Sequence, residues 1–363
     1  MNKNILTHRL LSIARCPLSI IIPLSIFTFF SASAQIGGQS VFAFLKQKPS
    51  ARLTGLNGSQ IALRDDDLVL AYMNPALLNN TMHNALTYNH DFLLGKISTG
   101  YFGYGYAVEK LKMTFQGGIQ FINYGTFKQA DEFGNIQGEF KAGEYAVTLG
   151  AGRQINERLS AGLNIKYISS QLEAYQSNGL VADLSGSYWN DAKKFGATVL
   201  FKNMGSQLST YAGKREDVPL DVQVGFTKKL QKAPFRVSAV LHDLNRWNLR
   251  YDNPLDNEIT LLGEAPTEPS QISKELDNFF RHLNVGSELV LGKNENFRFR
   301  VGYSQQVRKE LSVNNIRSLA GFSLGFGFKV NKFRLDYGLG KQHLAGGMNH
   351  LSISTNFSEF KKK

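Results

Sequence analysis

Gly321-Phe322-Ser323-Leu324-Gly325-Phe326-Gly327-Phe328-Lys329-Val330 sets Phe322, Leu324, Phe326, Phe328 and Val330 at even positions, with small or polar residues between them. Successive side chains of a β-strand point to opposite faces. This strand therefore has one large, greasy face and one small, polar face. The pattern recurs along the chain. Phe195, Ala197, Val199 and Phe201 alternate with Gly196, Thr198, Leu200 and Lys202. Leu220, Val222, Val224 and Phe226 alternate with Asp221, Gln223, Gly225 and Thr227, and Phe297, Phe299, Val301 and Tyr303 with Arg298, Arg300, Gly302 and Ser304. A period of two by itself says only that a strand is half-buried, and a soluble β-sandwich gives the same signal.

The spacing of such segments separates the two. About fourteen run from Ala85 to Phe357: Ala85–His90, Lys96–Ala107, Met113–Asn123, Glu144–Gln154, Leu159–Ile168, Asn178–Trp189, Phe195–Met204, Leu220–Lys228, Phe235–Asp243, Leu283–Leu291, Phe297–Ser304, Leu319–Val330, Lys332–Gly340 and Asn349–Phe357. Their connections alternate in length. Short ones lie near Glu109–Lys112, Asn156–Arg158, Asn190–Lys193, Lys229–Pro234, Gly292–Asn296 and Asn331. Long ones lie near Tyr124–Gly143, Ser169–Ser177, Gly205–Pro219, Leu244–Arg281, Gln305–Ser318 and Lys341–Met348; only the first outer link, Asp91–Gly95, is short. A transmembrane barrel has short periplasmic turns and longer outer loops. Unpaired strand edges are not tolerated in lipid, so the sheet must close. The expected fold is all-β: a transmembrane antiparallel β-barrel of about fourteen strands in the outer membrane.

The amino terminus agrees with export. Lys3, Arg9 and Arg15 precede an apolar core, Leu18–Phe30, and Ser31-Ala32-Ser33-Ala34 supplies small residues for cleavage before Gln35. Residues 1–34 are thus expected to be a signal peptide, since the apolar run falls short of the ~20 residues a membrane helix needs. The only cysteine, Cys16, follows Arg15 and precedes the apolar core, which is the wrong order for lipidation. The mature chain then has no disulfide and no thiolate metal site. Removing the three basic residues lowers the formal net charge from +12 to +9. That excess belongs with turn lysines, a basic lumen and the Lys361–Lys363 tail rather than with nucleic acid.

Residues 35–84 break the strand rhythm. This stretch is too apolar for a disordered tail and too short for an independent core, so it is expected to be a plug inside residues 85–363. Asp65, Asp66 and Asp67 lack the alternate spacing of a calcium loop. They are expected to cap a turn and to pair with lumen bases such as Arg298, Arg300 or Arg334. Asn74-Pro75 marks a turn, with Pro75 free to start a helix.

Catalytic signatures are missing. Ser358-Glu359-Phe360-Lys361 is the only S-x-x-K, without its companion motifs, and there is no H-E-x-x-H or Walker A loop. His242-Asp243 supplies two thirds of a triad, but His242 shares the polar face with Arg236 and Ser238. The expectation is a protein without enzymatic activity, cofactor, metal or soluble substrate. Leu244–Arg281 is far longer than an ordinary loop, which marks it as functional or disordered. It carries Trp247, Leu249, Tyr251, Leu261, Leu262, Phe279 and Phe280. Ile272–Arg281 has helical spacing with Ser270 as its cap. Trp247, Tyr251, Phe279 and Phe280 are the candidate partner-binding residues; packing back over the barrel mouth is the other reading of the same aromatics. The loop Gly205–Pro219, with Tyr211, Lys214 and Arg215, extends that rim.

The run Gly37-Gly38-Gln39-Ser40-Val41-Phe42-Ala43-Phe44-Leu45, then Ser50-Ala51-Arg52 with Gly55 and Gly58, Leu63-Arg64-Asp65-Asp66-Asp67 and Asn74-Pro75-Ala76-Leu77-Leu78, resembles the amino-terminal signature of the PorQ family. These are outer-membrane components of the type IX secretion system of Bacteroidetes, related to PorV and more distantly to FadL-like barrels with an amino-terminal hatch. Asn57 departs from the small residue expected between the two glycines. The resemblance covers about fifty residues. It implies an anchor in the attachment complex, docking a PorZ-like surface protein beside a PorU-like sortase and a PorV-like barrel, with outer-membrane lipid around it. The alternative is a FadL-like channel for hydrophobic small molecules. That would need an apolar path under the plug and a gap in the wall, and lumen-facing Arg298, Arg300, Asp221 and Glu288 oppose a greasy path.

Overall fold

Alternation of lipid and lumen along each strand is met in three dimensions by a closed ladder. The computed structural model describes residues 40–250, 270–292, 295–311, 319–343 and 346–360. The expected signal peptide and the first residues of the expected plug lie outside these. Among the described residues the strands are β1 Ala85–Phe92, β2 Ser98–Val108, β3 Met113–Ala130, β4 Ile136–Gln154, β5 Leu159–Leu172, β6 Tyr175–Asn190 and β7 Phe195–Ser209. They continue as β8 Asp221–Lys229, β9 Phe235–Leu241, β10 Leu283–Leu291, β11 Phe297–Ser304, β12 Phe322–Val330, β13 Phe333–His343 and β14 Gly346–Asn356. Each pairs antiparallel with its sequence neighbours, and β1 closes the barrel on β14 through Leu86↔Thr355 and Tyr88↔Ile353. The fourteen-strand closed barrel expected from the sequence is the fold.

The apolar rows point outward. In β12, Phe322, Leu324 and Phe326 are 46%, 55% and 44% exposed, while Ser323 between them is 3% exposed. Phe297, Phe299 and Val301 of β11 do the same, with Arg298 and Arg300 turned inward and buried. An apolar exterior around a ladder with no free edge is the arrangement that lipid requires. The chain is therefore an outer-membrane β-barrel. Among the described residues no helix is long and apolar enough to cross a membrane.

Three of the long outer connections are corrected by the structure, Lys341–Met348 among them, since β13 and β14 stay paired out to His343↔Gly346. Tyr124–Gly143 is mostly strand: β3 and β4 stay paired from Asn123↔Gly143 out to Ala130↔Ile136, with Phe127 stacked on Phe140 at 5.3 Å. Ser169–Ser177 likewise closes on Leu172↔Tyr175. Beyond the bilayer both faces of a hairpin meet water. Lys128, Gln129, Glu139 and Lys141 therefore show no alternation, and a reading built on alternation stops at the membrane edge.

The lumen is filled by residues 41–84. A 3₁₀ turn, Ala43–Lys46, is followed by helix α1 (Ala51–Gly55), helix α2 (Leu68–Met73) and 3₁₀ turns at Pro75–Leu77 and Asn80–Met82. Ser50 caps α1 by accepting from Leu53 N (3.3 Å), and Asp67 caps α2 by accepting from Val69 N (3.1 Å). Val41, Phe42, Phe44 and Leu45 pack on Ile122, Ala146, Ile168 and Val181 of the wall. Leu53, Leu63, Val69, Leu70, Tyr72, Met73 and Leu77 form a second cluster with Tyr101.

Candidate functional site

The plug is held to the wall on several sides. On one side α1 lies against β12–β14. Ala51 N donates to Ser352 Oγ (2.9 Å), Thr54 Oγ1 lies 3.0 Å from His350 Nδ1, and Ser323 Oγ donates to Gly55 O (3.0 Å). A Cβ on Gly55 would sit 2.9 Å from Gly325 Cα, so only paired glycines permit this approach. Asn57, where the signature expects a small residue, has φ 52° and donates to Gly321 O at 2.9 Å. Asparagine tolerates the left-handed region, and its amide adds a tie to the wall.

On the other side, Asn74 caps the turn Pro75–Leu77 by accepting from Ala76 N (3.1 Å). Its amide nitrogen reaches Ile61 O at 2.6 Å, Ser187 of β6 at 3.2 Å and Thr198 of β7 at 3.3 Å. Pro75 starts the turn, and its carbonyl presses on β4 and β5. A Cβ at Gly152 or Gly162 would come within 2.5 or 2.3 Å of that oxygen.

Charge binds the periplasmic half. Arg52, 2% exposed, donates through Nη1 to Asp65 (2.7 Å) and Asp67 (2.9 Å), and through Nη2 to Glu288 of β10 (3.0 Å). Glu288 also accepts from Arg236 of β9 and, at 2.8 Å, from Arg300 of β11, which continues to Asp336 of β13 at 2.6 Å. Asp66 forms a two-pronged pair with Arg334 of β13 at 3.1 and 3.0 Å. Burial alone would raise the Asp66 carboxyl; Arg334 outweighs it and holds the group at about 2. Against the opposing effect of burial, Asp65, Glu288 and Asp67 drive the Arg52 guanidinium well above its usual value.

Of the three bases named for the aspartates, Arg334 meets Asp66. Arg300 is taken by Glu288 and Asp336, and Arg298 lies 3.6 Å from Glu295. Asp65 and Asp67 turn instead to a base in the plug itself. Sequence reasoning missed Arg52 as the hub. The available signal was a lone cation inside Ala51-Arg52-Leu53, since a buried charge must find partners. Below the network, a cavity of about 650 Å³ opens among the short turns, lined by Arg64, Asp65, Asn79, Trp189, Lys229 and Glu295.

The outer rim is built differently. Helix α3, Gln271–Arg281, is capped by Ser270 and lies beside helix α4, Gln305–Glu310, through Lys309 Nζ and Asp277 Oδ1 at 3.5 Å. Asn278 points inward, accepting from Leu249 N (2.9 Å) and donating to Trp247 O (2.6 Å). Leu249 is buried. Ile272, Leu276, Phe279, Phe280 and Trp247 stay open to solvent, between 40% and 74% exposed. Tyr251, Leu261 and Leu262 lie outside the described residues. His242 bonds Asp243 at 3.0 Å, and among the described residues no hydroxyl bonds its other nitrogen, so the structure assembles no triad there.

No family model matches the sequence, and no curated protein matches it. Solved structures do. The monoaromatic hydrocarbon channel CymD is similar at 14% identity over 84% of this chain and 96% of that one, with a TM-score of 0.47. The Pseudomonas putida toluene transporter TodX is similar at 12% identity over 84% and 96%, with a TM-score of 0.46. A Pseudomonas aeruginosa FadL homologue is similar at 11% identity over 85% and 98%, with a TM-score of 0.47. The barrel assignment itself stands on the closed ladder and the outward apolar rows.

Proposed function

We propose that this barrel is a plugged outer-membrane anchor of a type IX attachment complex. It docks a PorZ-like surface protein beside a PorU-like sortase and a PorV-like barrel during attachment of cargo to the cell surface. The observation that carries this reading is a contrast. The lumen is occupied by a plug bonded to opposite walls, whereas the apolar side chains of the outer rim stand open. A transport path needs a yielding lumen; an anchor needs a rigid body and a sticky rim. The amino-terminal resemblance supports the same partners.

The test is a mild-detergent pull-down of a tagged copy from outer membranes, beside a Trp247→Ser/Phe279→Ser/Phe280→Ser variant. The expected result is a large surface protein with sortase-like and PorV-like partners on the parent, lost from an equally abundant variant. Recovery of the barrel alone would sink the anchor reading.

A second reading, a FadL-like channel for hydrophobic small molecules, is favoured by the apolar cluster around Phe42 and Phe44 in the outer half of the lumen. Against it, neighbouring strands are paired all round the described wall. A lone barrel carrying bound fatty acid or another lipid would favour this reading.

A further inference from the structure

The end of β9 and the start of β10 meet at His282, which is fully buried. Its Nδ1 lies 2.7 Å from His242 O, and its Nε2 lies 2.8 Å from Trp247 O. A carbonyl oxygen can only accept, so both ring nitrogens must donate. A neutral imidazole has one N–H, and its other nitrogen would turn a lone pair on a carbonyl lone pair. The imidazolium satisfies both contacts. The ring also stacks on the indole of Trp247, with centroids 4.9 Å apart and planes 20° from parallel, an arrangement that favours a cation.

We infer that His282 is a protonated clasp that fastens the outer segment 244–250 to the barrel rim, and that the clasp opens when the imidazole loses its proton. The fastening is local. Trp247 O accepts from His282 and from Asn278, while His242 N donates to His282 O (3.0 Å) and fixes the strand beneath. Loss of the proton leaves one of the ring's two carbonyl contacts without a donor and removes the cation under the indole.

The charged groups gathered here come from every neighbouring element. His242 and Asp243 follow β9, and Asp221 of β8 accepts from Asp243 N. Arg246 of the segment and Lys46 of the plug act on Asp243. Asp277 and Arg281 belong to α3, and Lys309 to α4. The carboxylates favour the imidazolium, and the bases oppose it. Among the described residues no carboxylate bonds the His282 ring itself; both of its polar contacts are to neutral carbonyls. Because Trp247 belongs to the proposed docking rim, an acidic medium would set that rim and an alkaline one would loosen it. That consequence rests on the anchor reading; the clasp does not.

Trp189 and Trp247 are the only tryptophans in the chain. In a Trp189→Phe barrel purified in detergent, emission therefore reports Trp247 alone. The expected result is emission that rises as the pH is raised and the stacked imidazolium loses its charge. His282→Gln keeps a donor but cannot titrate, and should flatten the profile. His242→Gln should leave it in place. A flat profile in the Trp189→Phe barrel overturns the clasp, and so does a profile that survives His282→Gln or vanishes with His242→Gln alone. If His282→Gln does not assemble, the other two proteins still decide. Loss of the surface partner in the pull-down would leave all these outcomes unchanged.

Discussion

The two ends of the lumen are closed by opposite chemistry. At the outer end Val41, Phe42, Phe44 and Leu45 seal against Ile122, Ala146, Ile168 and Val181. At the periplasmic end Arg52, Asp65 and Asp67 interlock with Glu288 and Arg300. An apolar seal is graded: each lost methyl weakens it by its own burial. A buried ion network is close to all-or-none, because removing one member strands the others without water. The plug thus has a seal that tolerates change and a latch that does not.

The largest test of that contrast is Glu288→Gln. It removes the charge on which Arg52, Arg236 and Arg300 converge. A loss of about 3–5 kcal/mol is expected, seen as plug release and frequent large openings in single-channel recordings. A quiet, fully plugged channel would show that the latch is not ionic.

Phe44→Ala should weaken the outer seal by about 3 kcal/mol and yet leave the plug seated, with openings brief and insensitive to salt. Long openings equal to those of Glu288→Gln would erase the distinction between seal and latch.

The wall gives a smaller, separate effect. Phe326→Arg, on the outward row, should lower barrel stability by about 2 kcal/mol in denaturant titrations without opening the plug. Ser323→Arg, one step inward on the strand, should do the reverse. Alternation alone would make Ser323 a harmless lumen position; its bond to Gly55 O means that a large side chain there displaces α1. Equal effects of both variants on the wall would contradict the facing assigned to β12.

The smallest effect is acidic. The folded Asp66 carboxyl sits at about 2, below its ordinary 3.8. A carboxyl lowered on folding stabilises above its unfolded value and loses that contribution as the pH falls through its folded one. Plug openings should therefore be constant from pH 7 to about 4 and increase toward pH 2. Asp66→Asn should remove the acid-dependent part, and an identical acid response in that variant would reassign it.

The wall was legible in the sequence because lipid and lumen demand opposite side chains at alternate positions. Strands such as Leu283–Leu291 and Phe297–Ser304 begin and end where the alternation does. The β3–β4 extension was not legible, since water on both sides imposes no alternation on Lys128 or Glu139. Ser270 and the spacing of Ile272, Leu276, Phe279 and Phe280 marked α3, whose cap and turn are local. Nothing local marked His282 or Asn278. Their partners, Trp247 and His242, are brought back to them only by the return of a long loop.

By itself, the sequence determined the closed fourteen-strand barrel, the outward apolar rows and the existence of an apolar segment ahead of the first strand. These follow from short-range periodicity, which every residue shares with its neighbours two places away. Only the tertiary structure decided that Arg52 reaches Glu288, that Asp66 takes Arg334, and that His282 holds Trp247. Those pairs join residues far apart in the chain, and the position of each is set by barrel closure and register rather than by the residues beside it.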